Sequence, residues 1–417
     1  MMDHFKTELD SLLSRWSDES DALVQMRNHA FDRFAELGFP TKKWEDWQFT
    51  DFSLFKKVPF RMTEARDLVT IGGLENKLLK DCYSIIIING HYQPDLTQLP
   101  EGVQVRTLLD VFLKNELPQL SNGNPFVDLN TSFMNSGLAM DIDDNVQLDQ
   151  PIHYLFITTG IDDSIMNHPR LIINVGKNSS AIVIEHYLSE NTHLYWNNCV
   201  SISNQKPNSK LDHIRIQEDT GYHTDNMICI LQRDAQLRST LFNHQTQLYR
   251  GDIHVEFHGE NGHANLNGLS LLHDSNHMDT RVIIDHEFPH CNSDQFFKYI
   301  LNDTSSGVFN GRIIVREDSQ KTDSNQSNKN LLLSENATMH SNPQLEIYAD
   351  DVRCTHGSTT GQLSEDVLYY LRTRGIEQRA AQKLIVKGFA REVFSNVKHE
   401  PTADYLNEQL NEWLAHG

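Results

Sequence analysis

LEIYADDVRCTHGSTTGQLSEDVLYYLRTRGI, residues 345–376, decides how the chain is built, because the periodicity changes inside it. Leu345, Ile347 and Tyr348 are strand formers, and the acidic pair Asp350–Asp351 follows them. A short turn-rich run then holds Cys354, His356, Gly357 and Gly361. Side chains two apart in extended chain share a face, so Cys354 and His356 point the same way. Ser364 has the chemistry of a helix N-cap, with Glu365 and Asp366 placed to complement a helix N-terminus. Val367, Leu368 and Leu371 make an apolar helical stripe, and Gly375 suits the residue after the C-cap. A strand-built body therefore precedes this stretch and a helical tail follows it.

Upstream, from Arg170 to Gly361, short apolar or alternating runs recur, among them LIINV (171–175), AIVIEH (181–186), MICIL (227–231), IHVEFH (253–258) and GRIIVR (311–316). In IHVEFH the alternation is strict: Ile253, Val255 and Phe257 on one face, His254, Glu256 and His258 on the other. Gly, Asn, Asp and Ser clusters separate the runs, and no helical period is sustained. Such a pattern fits a sandwich, a barrel or a β-solenoid, and the spacing alone does not choose between them. Downstream, Ala381, Leu384, Ile385, Phe389 and Val393 form one helical stripe. Leu406, Leu410, Trp413 and Leu414 form another.

The N-terminal region reads differently. Phe5, Leu9, Leu12, Leu13 and Trp16 make one amphipathic helix, and Leu23, Ala30, Phe34 and Leu37 a second, closed by Gly38 and Pro40. An aromatic patch follows (Trp44, Trp47, Phe49, Phe52, Phe55), whose simplest use is packing between regions. Tyr83–Asn89 is a buried strand, and Phe126–Asn135 a helix leading into the main body. The expected division is 1–145, mainly helical; 146–363, the β body; and 364–417, helical.

A chain of 417 residues with 38% hydrophobic and 22% charged residues has the composition of an ordinary globular protein. Its 57 Asp+Glu against 36 Lys+Arg leave a net charge of −21, which disfavours a nucleic-acid backbone as partner. Five scattered cysteines without a CxxC pair argue for a reducing compartment, hence a cytoplasmic protein. No run approaches the roughly 18 apolar residues of a membrane helix. Neither GxxxxGK[ST] nor GxGxxG occurs, so any ATP-driven step would need a separate subunit.

Two ligand-type residues stand out. A thiolate at Cys354 and an imidazole at His356 could reach one thiophilic ion from the same side, and iron–sulfur species suit such ligands. Two ligands do not close a tetrahedral site, so others would come from elsewhere. On spacing alone a half-buried cysteine and a turn-stabilising histidine remain the simpler reading. His254 with His258, and His286 with His290, are spaced too far apart on strands to share an ion. The acidic neighbours Asp350 and Asp351 face opposite sides of a strand, which weakens an acid–base pair of the kind a β-solenoid carbohydrate-active enzyme would use.

The run EIYADDVRCTHGSTTGQLSEDVLYYLRTRGI, together with SSGVFNGRIIV (305–315), QSNKNLLLSENA (326–337) and EDWQFTD (45–51), resembles the SufB/SufD family of the SUF iron–sulfur cluster assembly system. The likeness spans roughly residues 40–395 and lies on the SufD side of the family. SufB typically has a cysteine where this chain has Asn328, and HEATTSK where it has THGSTTGQ. The resemblance implies a mainly β fold: a right-handed parallel β-helix core flanked by helical regions. It implies a non-catalytic scaffold that pairs with SufB through the β-helix, or with itself in isolation, and docks the ABC-type ATPase SufC through its C-terminal helices. It places His356 and Cys354 at the SufB contact as candidate ligands of a transient iron–sulfur cluster or iron. A flavin is left open.

Overall fold

The computed structural model describes residues 2–15, 20–64, 67, 71–114, 116–117, 120, 123–134, 137–159, 163–190 and 193–416. Trp16 and Asn135, read above as helical, lie outside them. Short strands dominate, and successive strands never pair with each other along the main body. Each pairs in parallel with the strand two further on, so the chain alternates between two sheets. One sheet runs from Gly137–Ile142 through Leu248–Phe257 and His277–His286 to Thr338–Ile347. The other runs from Ile152–Thr159 through Lys210–Gln217 and Asn292–Leu301 to Arg353–Gln362. This is a β-solenoid of about seven turns between residues 137 and 362, a parallel β-helix and neither a sandwich nor a barrel.

The in-register stacking comes from the alternation. Ile253 lies beside Met227 and Val282, Val255 beside Cys229 and Ile284, and all face the solenoid interior. Corners are set by residues in the left-handed region. Asn145, Asn178, Asn208, Asp234 and Asn261 all have positive φ. Asn and Asp tolerate that backbone better than other non-glycine residues. Their side chains form a ladder along one corner: Asn178 donates to Asn145 at 2.9 Å, Asn208 to Asn178 at 2.9 Å, and Asn261 to Asp234 at 2.7 Å. The rungs are 33, 30 and 27 residues apart in sequence. That is the coil length, hidden in the sequence because each corner keeps only one residue of a repeat.

At the N-terminal end, α1 (Met2–Arg15), α2 (Asp21–Leu37), α3 (Leu108–Leu113) and α4 (Pro125–Phe133) lie against the first sheet. Phe5, Phe34, Phe52, Phe55 and Phe126 join Trp196 of the sheet in one aromatic core. Leu37, expected in the stripe, is exposed instead, while Arg27 is buried and donates to the carbonyls of Ser132 and Met134 at 3.1 Å. These orphan carbonyls end α4, so the buried charge has a partner that needs it. Trp47 and Phe52 are buried as expected of the aromatic patch, but Phe49 is outside it and stacks on His340, ring centres 3.9 Å apart.

At the other end the solenoid stops and helices begin. The Ser364 side chain accepts from Val367 N at 3.4 Å and caps α5 (Glu365–Thr373), and Gly375 leaves it at φ +84. α6 (Gln378–Arg391) and α7 (Glu400–His416) then cover the outer face of the second sheet. Val386 and Ala390, outside the stripe read in the sequence, are buried there with Ala381 and Val393, whereas Leu384 of that stripe faces solvent. Among the described residues, no helix is long and apolar enough to cross a membrane.

Candidate functional site at the open end of the solenoid

The residues read as a turn, 354–361, form a strand instead. Arg353–Gln362 pairs along its whole length with Asp323–Leu332 and, among the described residues, has no strand on its other side. Thr338–Ile347 is the matching edge of the first sheet. Two ten-residue strands thus end the solenoid side by side, each with an unpaired row of backbone groups. The small, polar residues THGSTTG explain the misreading: they offer no apolar alternation, and among the described residues no further coil packs on them.

Register places the two ligand-type residues. Cys354 lies beside Ser324 and His356 beside Gln326, and both partners are buried in the interior. Cys354 and His356 therefore continue the interior face onto the last coil, beyond which no further strand is paired among the described residues. His356 is exposed in mid-strand, so it does not stabilise a turn. Cys354 is half-buried against Val315 and Val352; burial, and then Asp323, push its thiol up. A raised thiol is a poorer thiolate, so Cys354 alone is a weak ligand. Among the described residues no three His, Cys, Asp or Glu side chains are gathered as a metal site. The last coil offers two donors, and a closed site needs more.

Beside them the end of the interior is polar. Asn328 accepts from Asn330 at 2.7 Å and from Ser341 at 2.8 Å. Ser358 donates to Ser341 at 2.7 Å, and Asn330 to Thr360 at 3.1 Å. This network ties the two terminal strands together across the open end.

Other chemistry-bearing residues sit elsewhere. His254 and His258 both pair with Glu256, at 3.5 and 3.0 Å, on the outer surface. Cys291 is buried with its thiol toward Gly259 O at 3.3 Å. Asp350 and Asp351 lie just after the strand, and Asp351 is exposed and pairs with Lys321. Sequence reading missed a buried ionic cluster in mid-solenoid. Arg215 bonds Glu185 at 2.9 Å and Ser201 at 2.8 Å and also reaches Asp225, while His213 bonds Glu185 at 3.0 Å. Burial pushes Glu185 up, but Arg215 and His213 outweigh it and hold the carboxyl well below its usual range. Only part of the signal was available: HIRIQ groups His213, Arg215 and Gln217 on one strand face, and the structure turns that face inward.

The geometry defines an open-ended β-solenoid with helical regions at both ends, its last coil bare and carrying two ligand-type side chains. Residues 156–389 match the SufBD core domain of SUF system FeS cluster assembly proteins, and residues 2–154 match the SufBD protein N-terminal region. The chain belongs to the SufBD family of iron–sulfur cluster assembly proteins. It is 30% identical to an iron–sulfur cluster assembly SufBD family protein of Synechocystis, covering 94% of this chain and 93% of the relative. It is 29% identical to the iron–sulfur cluster assembly protein SufD of Escherichia coli, over 94% and 93%, and 24% identical to the chloroplastic protein ABCI7 of Arabidopsis thaliana, over 96% and 88%.

Proposed function

We propose that this chain is the SufD-type, non-catalytic subunit of a scaffold on which iron–sulfur clusters are assembled as cargo. The observation that carries the reading is the bare last coil: His356 stands exposed on a ten-residue edge strand, with Cys354 beside it and no third ligand gathered with them among the described residues. A second subunit of the same fold, SufB, would pair edge to edge there and supply the missing donors. Asn328 favours the SufD role over the SufB role. Where SufB typically has a cysteine, this chain has a side chain already spent on its own strands. The helical region 364–417 is the proposed dock for the SufC ATPase. α5 buries only Leu368 and leaves Val367 45%, Tyr369 70% and Tyr370 56% exposed.

His356→Ala tests the site. Stability should change by less than about 0.5 kcal/mol, as for surface substitutions, and capture of SufB should persist. Cluster maturation in cells should fall by about tenfold or more, the scale of losing a group that tunes a metal site. Wild-type maturation in this variant would remove His356 from the chemistry.

A further inference from the structure

The C-terminal helices meet the second sheet through an apolar layer: Ile216, Phe242 and Leu269 against Val386, Leu406 and Leu410. Apolar contact is non-directional and does not by itself choose one helix register. Two charged side chains stand inside this layer. Glu218 is 5% exposed and Lys298 1%.

Each holds one helix. The Tyr405 hydroxyl on α7 donates to Glu218, whose carboxylate also meets His186 Nε2 at 2.5 Å and His244 Nε2 at 3.1 Å. Burial pushes the Glu218 carboxyl up, but His186 and His244 together hold it well below its usual range, so it stays a charged acceptor. Lys298 Nζ donates to the Phe389 carbonyl at 2.7 Å and to Glu392 Oε2 at 2.5 Å, under the Phe389 ring at 4.2 Å. The Phe389 carbonyl belongs to the last turn of α6, where backbone acceptors lack helical partners and a cation complements the helix dipole. Burying both charges costs stability that an apolar pair would not, and the best-attested return for such a cost is a unique register.

We propose that Tyr405–Glu218 and Lys298–Phe389–Glu392 are two latches that hold α7 and α6 in one register, so that helices and solenoid answer as one body to a protein docked on α5. The transmission half rests on the docking reading above; the latches themselves do not. Tyr405→Phe, Lys298→Met and their combination are made in the full chain and followed by amide hydrogen exchange. Glu392→Gln, at the exposed rim, stands in if Lys298→Met does not fold. Amides of 378–416 should exchange about tenfold faster in the combined variant, while those of 263–272 keep their wild-type rates. Unchanged exchange over 378–416 overturns the latches, since the apolar layer then sets the register alone. Co-expressed with SufC, the combined variant should still capture the ATPase but mature fewer clusters. Faster exchange with wild-type maturation overturns transmission. A wild-type chain that captures no SufC defeats the docking reading instead, and the exchange result still decides the latches.

Discussion

At the scale of single residues, the interior of the solenoid holds charges where a simple apolar core would suffice. Arg215 is fully buried between Glu185 and Asp225. Replacing it by Met leaves two carboxylates without their counter-ion in a dry interior, and removing one partner of such a group costs about 3–5 kcal/mol. Arg215→Met should therefore lower the urea midpoint strongly, whereas a change at exposed Arg233 should not move it measurably. An equal midpoint for Arg215→Met would mean the cluster is hydrated and screened. These residues were partly legible: the alternation of HIRIQ sets His213, Arg215 and Gln217 on one face of the strand and Ile214 and Ile216 on the other. It did not reveal that the polar face would point inward, because strand periodicity assigns faces and says nothing of which face is the core.

At the scale of elements, the corner ladder carries the coil spacing. Asn208 sits at φ +60 and donates to Asn178. Asn208→Ala loses the bond and puts a Cβ-strained residue in the left-handed region, at a cost of about 1–3 kcal/mol. Asn208→Gly keeps the backbone at ease and should cost less than the Ala variant. Thermal melts of the two variants check the order; Ala milder than Gly would contradict it. The elements read best from sequence were those with a dense apolar signal, such as IHVEFH and the Leu406–Leu414 stripe. Arg353–Gln362 was missed as a strand because it is an edge: among the described residues no further coil is stacked beyond it. Gly357 and Gly361 have no neighbouring atom within 4 Å of where a Cβ would stand, so packing left no pattern to find.

At the scale of the whole molecule, buried imidazoles set the response to acid. In the unfolded chain histidines take up a proton as pH falls through about 6.5. Burial keeps His168 neutral down to about 3 and His286 to about 4, the latter against the pull of Asp285, and pushes His153 and His213 down as well. Between those values the unfolded state binds more protons. Stability is therefore lost as pH falls through 6.5, by about 1.4 kcal/mol per unit for each such histidine, and the loss levels off below the folded value. Glu185 and Glu218, held low in the fold, add their own loss only below about pH 4.3. The urea midpoint should be lower at pH 5 than at pH 7; equal midpoints would show that these histidines are hydrated.

The sequence by itself determined what is local: the strand periods between 170 and 361, the capped helix after Ser364, the amphipathic stripes at both ends, and the shared face of Cys354 and His356. The motif around those two residues also carried the family. Each of these depends on neighbours a few residues away, and spacing encodes such neighbours directly. The parallel β-helix was expected from the family resemblance and is what the structure shows; strand spacing alone left it open, because coil partners stand about 30 residues apart and are linked by stacking that no local period records. Only the tertiary structure decided that His356 is a bare edge residue and not a turn residue. Exposure at the end of a stack depends on whether another coil is laid over it, and here the chain turns away into α5 with no described strand laid over the last coil.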